Sequence, residues 1–203
     1  EAIRSVFSLD ELLERIMQII SDVLHPDRSY LLLTNPETGE LVPEVIKTRT
    51  GDDDKEVKIS TSIVDRCRGE GVSLLVSDAA ADDRFSASES IILNRIRTAM
   101  VAPLIYKSET LGVVYVDTQT RVMPYTREEL ELLTGITNQA AVAIINARLH
   151  SQLVEQHKLA REMEIARTIQ MNLLPKVYPE LERYEISAMS LPAKHVGGDY
   201  YDF

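Results

Sequence analysis

The sequence predicts an α+β fold: a sheet of short strands with helices packed on it, followed by one long helix. Three features lead there. Apolar residues recur at spacings of three and four between Leu9 and His25. Short apolar runs broken by turn residues fill the stretch 30–116, and no proline interrupts the chain between Thr126 and Pro175.

The first helix buries Leu9, Leu12, Leu13, Ile16, Ile19, Ile20, Val23 and Leu24 on one face, and Ser8 with Glu11 forms the capping box that starts it. Strands follow at 30–33 and 41–47 around a turn at 36–39, then at 73–76, 99–106 and 111–116. The polar connection 107–110 has hairpin length. Val113, Val114, Tyr115 and Val116 show no alternation, which predicts a central strand covered on both faces. Helical insertions are expected at 62–68 and after Ser86, where Ser86 and Glu89 fit a second capping box. From the residues alone the sheet reads as mixed.

Thr126 and Glu129 make a third capping box, opening a helix that would reach on the order of 70 Å at its usual rise per residue. Leu130, Leu133, Ile136, Ala140, Ala143, Ile144 and Ala147 give its first half a stripe rich in small residues. Leu149, Leu153, Leu159, Met163, Ala166, Ile169 and Leu173 continue a thinner stripe with a gap near Gln156. The pattern reads as a signalling helix paired with its copy in a parallel coiled coil, hence a homodimer. A monomeric helix lying on a following domain is the competing reading, because the heptads are imperfect.

Composition excludes several classes of partner. A net charge of −10 over 203 residues disfavours nucleic acid and anionic membrane surfaces, which require a positive field. Cys67 is the sole cysteine, so no intramolecular disulfide forms, and no apolar run reaches membrane-spanning length; a cytoplasmic location is expected. The first residue is Glu1 rather than Met, which leads us to expect an excised internal segment.

Residues 78–85 (Asp-Ala-Ala-Ala-Asp-Asp-Arg-Phe), Ser88, Ser90-Ile91, Arg97, Val101-Ala102-Pro103-Leu104, 111–117 (Leu-Gly-Val-Val-Tyr-Val-Asp) and 139–144 resemble a GAF domain over about two thirds of the chain. The resemblance implies an antiparallel sheet flanked by helices and a small-molecule sensor. It makes Asp78, Arg84, Phe85, Arg97 and Tyr115 candidate walls of a ligand pocket, although the stronger reading has Phe85 and Tyr115 as core aromatics, Asp78 and Asp82 as loop caps and Arg84 paired with a nearby carboxylate. The Asn-Lys, Phe, Asp-Glu pattern of cyclic-nucleotide-binding members is absent at 117–129. Cys67 is followed by Arg68 rather than the His common in bilin-binding members. Arg66 and Arg68 flank that thiol and could lower its pKa, but a structural cysteine is the stronger reading. Asp52-Asp53-Asp54 reads as a solvated loop, and His25, His150, His157 and His195 lack metal-ligand spacing.

Glu164, Ala166, Ile169-Gln170, Leu173-Leu174-Pro175, Ile186, Pro192-Ala193, Val196-Gly197-Gly198-Asp199 and Tyr200-Tyr201-Asp202-Phe203 are similar to the start of SpoIIE-like serine/threonine phosphatases of the metal-dependent PPM family. A strand is expected at 186–189. The resemblance implies that Asp199 is the first metal-ligand Asp of a two-ion Mn or Mg centre, while Asp202 is structural. It also implies a phosphoprotein substrate, of the anti-anti-sigma type, for the parent protein. One carboxylate cannot hold two ions, so the 203-residue chain alone is expected to be inactive. The domains are read as a GAF domain at 1–149, a linker helix at 150–174 and the beginning of a phosphatase domain at 175–203. A sensory, dimerising controller of a phosphatase is the favoured function; a non-catalytic GAF scaffold that only dimerises or recruits partners is the alternative.

Overall fold

The computed structural model describes residues 8–49, 59–77, 96–120, 123–177, 179–180, 182–183, 185–191, 196–198 and 200–203. The chain divides into two compact units, Glu1–Arg148 and Leu149–Phe203.

The first unit opens with α1 (Leu9–Leu24). Its capping box is formed in full: the Glu11 backbone N–H donates to Ser8 Oγ at 3.2 Å and the Ser8 N–H donates to a Glu11 carboxylate oxygen at 2.9 Å. His25 closes the helix in the left-handed conformation, and Pro26 follows. Then come β1 (Arg28–Thr34), β2 (Leu41–Thr48), α2 (Thr61–Glu70), β3 (Leu74–Val76), β4 (Thr98–Tyr106) and β5 (Glu109–Thr118). The helical insertion expected after Ser86 lies outside the described residues.

The five strands run in the order β2-β1-β5-β4-β3, and every pairing is antiparallel. The mixed sheet expected from the residues is therefore corrected. Two hairpins supply the β1–β2 and β4–β5 pairs, and the connection through α2 leads from one edge of the sheet to the other, so no strand gains a parallel neighbour. β5 occupies the centre and is buried on both faces from Leu111 onward, as its lack of alternation predicts. Pro43 is tolerated in β2 because that strand is an edge, with a bulge opposite Leu31 and Leu32. Gly112 faces Leu33 across the β1–β5 ladder, where a Cβ would overlap the Leu32 carbonyl oxygen.

Two cores cover the two sheet faces. On one, Leu13, Met17 and Ile20 of α1 pack with Leu31, Met100, Val114 and Val116 of the sheet and with Leu133, Ala141 and Ile144. The last three belong to α3 (Arg127–Leu173), a helix of 47 residues whose own capping box joins Thr126 and Glu129. On the other face, Ile63, Val64 and Cys67 of α2 pack with Tyr30, Leu32, Ala99, Val101, Val113 and Tyr115.

From Leu149 to Leu173, α3 is exposed except at Ala166 and Gln170, which are half-buried; Leu174, immediately after it, is buried. Burial along 185–190 alternates with period two, as a strand would, yet no strand is formed among the described residues there. The strand expected at 186–189 is thus not formed as regular structure among the described residues, although its burial keeps a strand's period.

Candidate functional site

The sheet face covered by α2 carries the most unusual chemistry in the first unit. Arg28 and Asp117 stand directly opposite each other on β1 and β5, and the guanidinium grips the carboxylate in a fork, Nε to Oδ1 at 2.9 Å and Nη2 to Oδ2 at 2.8 Å. Asp117 is fully buried and the Arg28 side chain only 10% exposed. Burial pushes the Asp117 carboxyl up to about 6, against the opposing pull of the Arg28 hydrogen bonds and charge. One step along the same strands, Tyr30 and Tyr115 meet edge to face with centroids 6.0 Å apart. The Tyr115 hydroxyl is buried without a hydrogen bond of acceptable geometry. Burial first, and then the nearby Asp117 charge, raise its pKa well above that of a free phenol.

Asp27 sets where these strands begin and end. Its Oδ2 accepts from Thr118 Oγ1, Thr120 Oγ1 and the backbone N–H groups of Gln119 and Thr120 at 2.7–2.9 Å, while Oδ1 accepts from Arg49 Nε at 2.6 Å. Burial alone would raise this carboxyl, but the donors outweigh it and hold the group well below the usual carboxylate range. Sequence reasoning missed this clamp, since Asp27 looks like any loop carboxylate.

Cys67 belongs to the core on the α2 face. Burial pushes its thiol up to about 12, overturning the idea that Arg66 and Arg68 activate it. Both arginines turn away, Arg66 to Glu70 at 2.8 Å and Arg68 to the Gly39 carbonyl at 2.6 Å.

An apolar groove of about 550 Å³ lies on the helical side, between α1 and the first half of α3. Ile16, Ile19, Leu132, Gly135, Ile136 and Ala143 line it, and Ile19 and Leu132 are more than 40% exposed. The signal in the sequence was present: α1 carries more apolar residues than its core face uses.

In the second unit, Gln170 of α3 holds Gly197 at two points. Its Nε2 donates to the Gly197 carbonyl at 2.6 Å, and its Oε1 accepts from the Gly197 N–H at 3.0 Å. Asp202 is occupied locally, accepting from the Phe203 N–H at 2.8 Å and the Tyr200 hydroxyl at 3.3 Å. Among the described residues no three His, Cys, Asp or Glu side chains gather into a metal site. The described donors do not amount to a two-ion centre, and Asp199 lies outside them.

The sequence pattern of the GAF domain family matches residues 8–144. The chain belongs to that family. A GAF domain/HD domain protein from Geobacter sulfurreducens has the same fold, with a TM-score of 0.57 at 11% identity over 73% of this chain and 99% of that one. The hybrid signal transduction histidine kinase G of Dictyostelium discoideum is 26% identical over 125 residues, 60% of this chain and 4% of the kinase. The phosphoserine phosphatase RsbU of Bacillus subtilis is 44% identical over 48 residues, 24% of this chain and 14% of the phosphatase. The chain thus spans only a small fraction of either relative. It is a sensory-type GAF domain of the kind found in signalling proteins.

Of the five pocket residues expected from the GAF resemblance, Asp78, Arg84 and Phe85 lie outside the described residues. Tyr115 is a core aromatic of the GAF sheet, packed on Tyr30. Arg97 is exposed just before β4, with its backbone N–H bonded to the Thr118 carbonyl at 3.1 Å. The structure does not bring Arg97 and Tyr115 together. Among the described residues no helix is long and apolar enough to cross a membrane.

Proposed function

We propose that this chain is the sensory and dimerising region of a signalling protein phosphatase. The observation that carries the reading is α3. One helix is rooted in the GAF core through Leu133, Ala141 and Ile144, continues to Leu173 and ends beside a segment bonded to its Gln170. The 44% identity with RsbU over 48 residues, a stretch about as long as the tail motif, supports the phosphatase side. In the parent protein Asp199 serves as the first carboxylate ligand of a Mn or Mg pair, and a phosphoserine or phosphothreonine on a partner of the anti-anti-sigma type is the substrate. The remaining ligands come from elsewhere in that parent, so the 203-residue chain hydrolyses no p-nitrophenyl phosphate.

The dimer forms along α1 and α3. Leu149, Leu153, Leu159, Ile169 and Leu173 of α3 are each more than 50% exposed, apolar surface that a partner helix would cover. A second copy covers these residues, because a symmetric partner presents the same ones. Multi-angle light scattering tests this directly: a dimer is expected, and a strict monomer at high micromolar concentration overturns it. Comparing phosphatase activity of the parent with and without residues 1–150 tests the control function. Unchanged activity and oligomeric state would leave a scaffold.

The ligand has a narrower case. Arg28 is already neutralised by Asp117, which favours a GAF domain that holds a weakly charged ligand or none. A thermal-shift screen across nucleotides and neutral metabolites separates the two.

A further inference from the structure

The contact between Gln170 and Gly197 joins residues 27 apart in sequence, and it has an uncommon form. A primary amide offers one donor and one acceptor side by side, the same pair that a neighbouring strand presents to a backbone residue. Gln170 uses both on the N–H and C=O of the same residue, so it substitutes for a ladder partner. Glutamate could only accept, and lysine or arginine could only donate. The rest of the helix agrees with a designed seat: Ala166, Gln170 and Leu174, spaced by four on one face, are the only residues from Leu149 to Leu174 that are not exposed. No regular secondary structure is present among the described residues of 175–203, so this side chain supplies what a sheet would otherwise provide.

We propose that Gln170 is a positioning residue that latches the Gly197 peptide to the end of α3, so that the helix fixes the path of the chain into Asp199. The two bonds are 2.6 and 3.0 Å long, and hydrogen bonds of this kind weaken steeply with misalignment. A rotation or translation of α3 by an ångström or two is therefore felt at Gly197, two residues before Asp199, without passing through a packed core. The latch stands on its own geometry; its significance for Asp199 rests on the phosphatase reading.

Amide hydrogen exchange, read by NMR on the whole 203-residue chain, tests the latch without any catalytic assay. Two hydrogen bonds of ordinary net strength protect the Gly197 amide roughly tenfold or more. Gln170→Leu, which keeps the bulk and removes both polar atoms, should abolish that protection while the melting transition of the GAF unit stays unchanged. Gln170→Glu sets a carboxylate oxygen against the Gly197 carbonyl where the amide now donates, and should lose the protection at neutral pH as well. Met171→Ala, on the exposed neighbour, should change nothing. The latch is overturned if Gly197 exchanges at the unprotected rate in the unmodified chain, or if Gln170→Leu leaves its protection intact. A protected Gly197 in a parent without phosphatase activity would instead keep the latch and discard the phosphatase reading.

Discussion

The Arg28–Asp117 pair makes a prediction whose size follows from its burial. Arg28→Met leaves a fully buried Asp117 with no counter-charge, and breaking a buried pair in this way costs about 3–5 kcal/mol. Asp117→Leu strands Arg28 instead. That costs somewhat less, about 2–3 kcal/mol, because the long side chain is already 10% exposed and can carry its head group toward water. The double variant removes both charges and replaces them with apolar volume, so it should lie within about 1 kcal/mol of the parent chain, giving a coupling energy of about 3 kcal/mol or more. The pH dependence has a definite sign. Asp117 has a folded pKa of about 6, raised above the unfolded value of about 3.9, so the native state binds the extra proton. Its contribution to stability is fully present below about pH 4 and is lost as pH rises through 6, by up to about 3 kcal/mol. Removing Arg28 raises that folded pKa further. The penalty of Arg28→Met should then be small at pH 5 and grow by up to about 1.4 kcal/mol per unit toward pH 8. Urea denaturation of the four proteins at pH 5, 6, 7 and 8 measures all of this. A penalty independent of pH, or two single variants each costing under about 1 kcal/mol, would refute the reasoning.

Asp27→Asn should cost about 2–4 kcal/mol at pH 7, because an amide turns a donor toward the hydroxyls and N–H groups that the carboxylate now satisfies. The Asp27 pKa is depressed on folding, so its stability is present above about pH 4 and lost as pH falls; the Asn variant should show a shallower acid limb in urea melts. Gly112→Ala forces a Cβ into the Leu32 carbonyl of the central ladder, and a loss of about 3 kcal/mol in the same assay is expected. For the dimer, the residues of α3 beyond Leu149 supply about a third of the helical residues described. Ellipticity at 222 nm should therefore fall measurably on dilution through the dissociation constant, whereas a helix stable without a partner would give a constant signal.

Local chemistry was the part of the fold most legible in the sequence. The boxes at Ser8–Glu11 and Thr126–Glu129 need only residues three apart, so their helices could be placed to within a residue. The continuous apolar run at Val113–Val116 marked β5 as central because alternation disappears only when both faces are covered. The antiparallel pairing was legible only through the family resemblance, and the strand order emerged only with the structure. Nothing local to Arg28 reveals a partner 89 residues away. Asp27 was invisible for the same reason, since its donors at 118–120 come into reach only once β5 lies beside β1.

The tail shows the opposite limit. Gln170 stood out as a motif residue beside Ile169, but a motif gives position without role, and Gln170 could have faced solvent like Gln152 or Gln156. Its meaning depends on the N–H and C=O of Gly197, 27 residues away, both meeting its amide. At 185–190 the side chains keep the burial period of a strand although no regular strand is formed there. Gln170 joins α3 to Gly197 through two hydrogen bonds, so on the latch proposal one side chain of that helix holds the backbone two residues before Asp199.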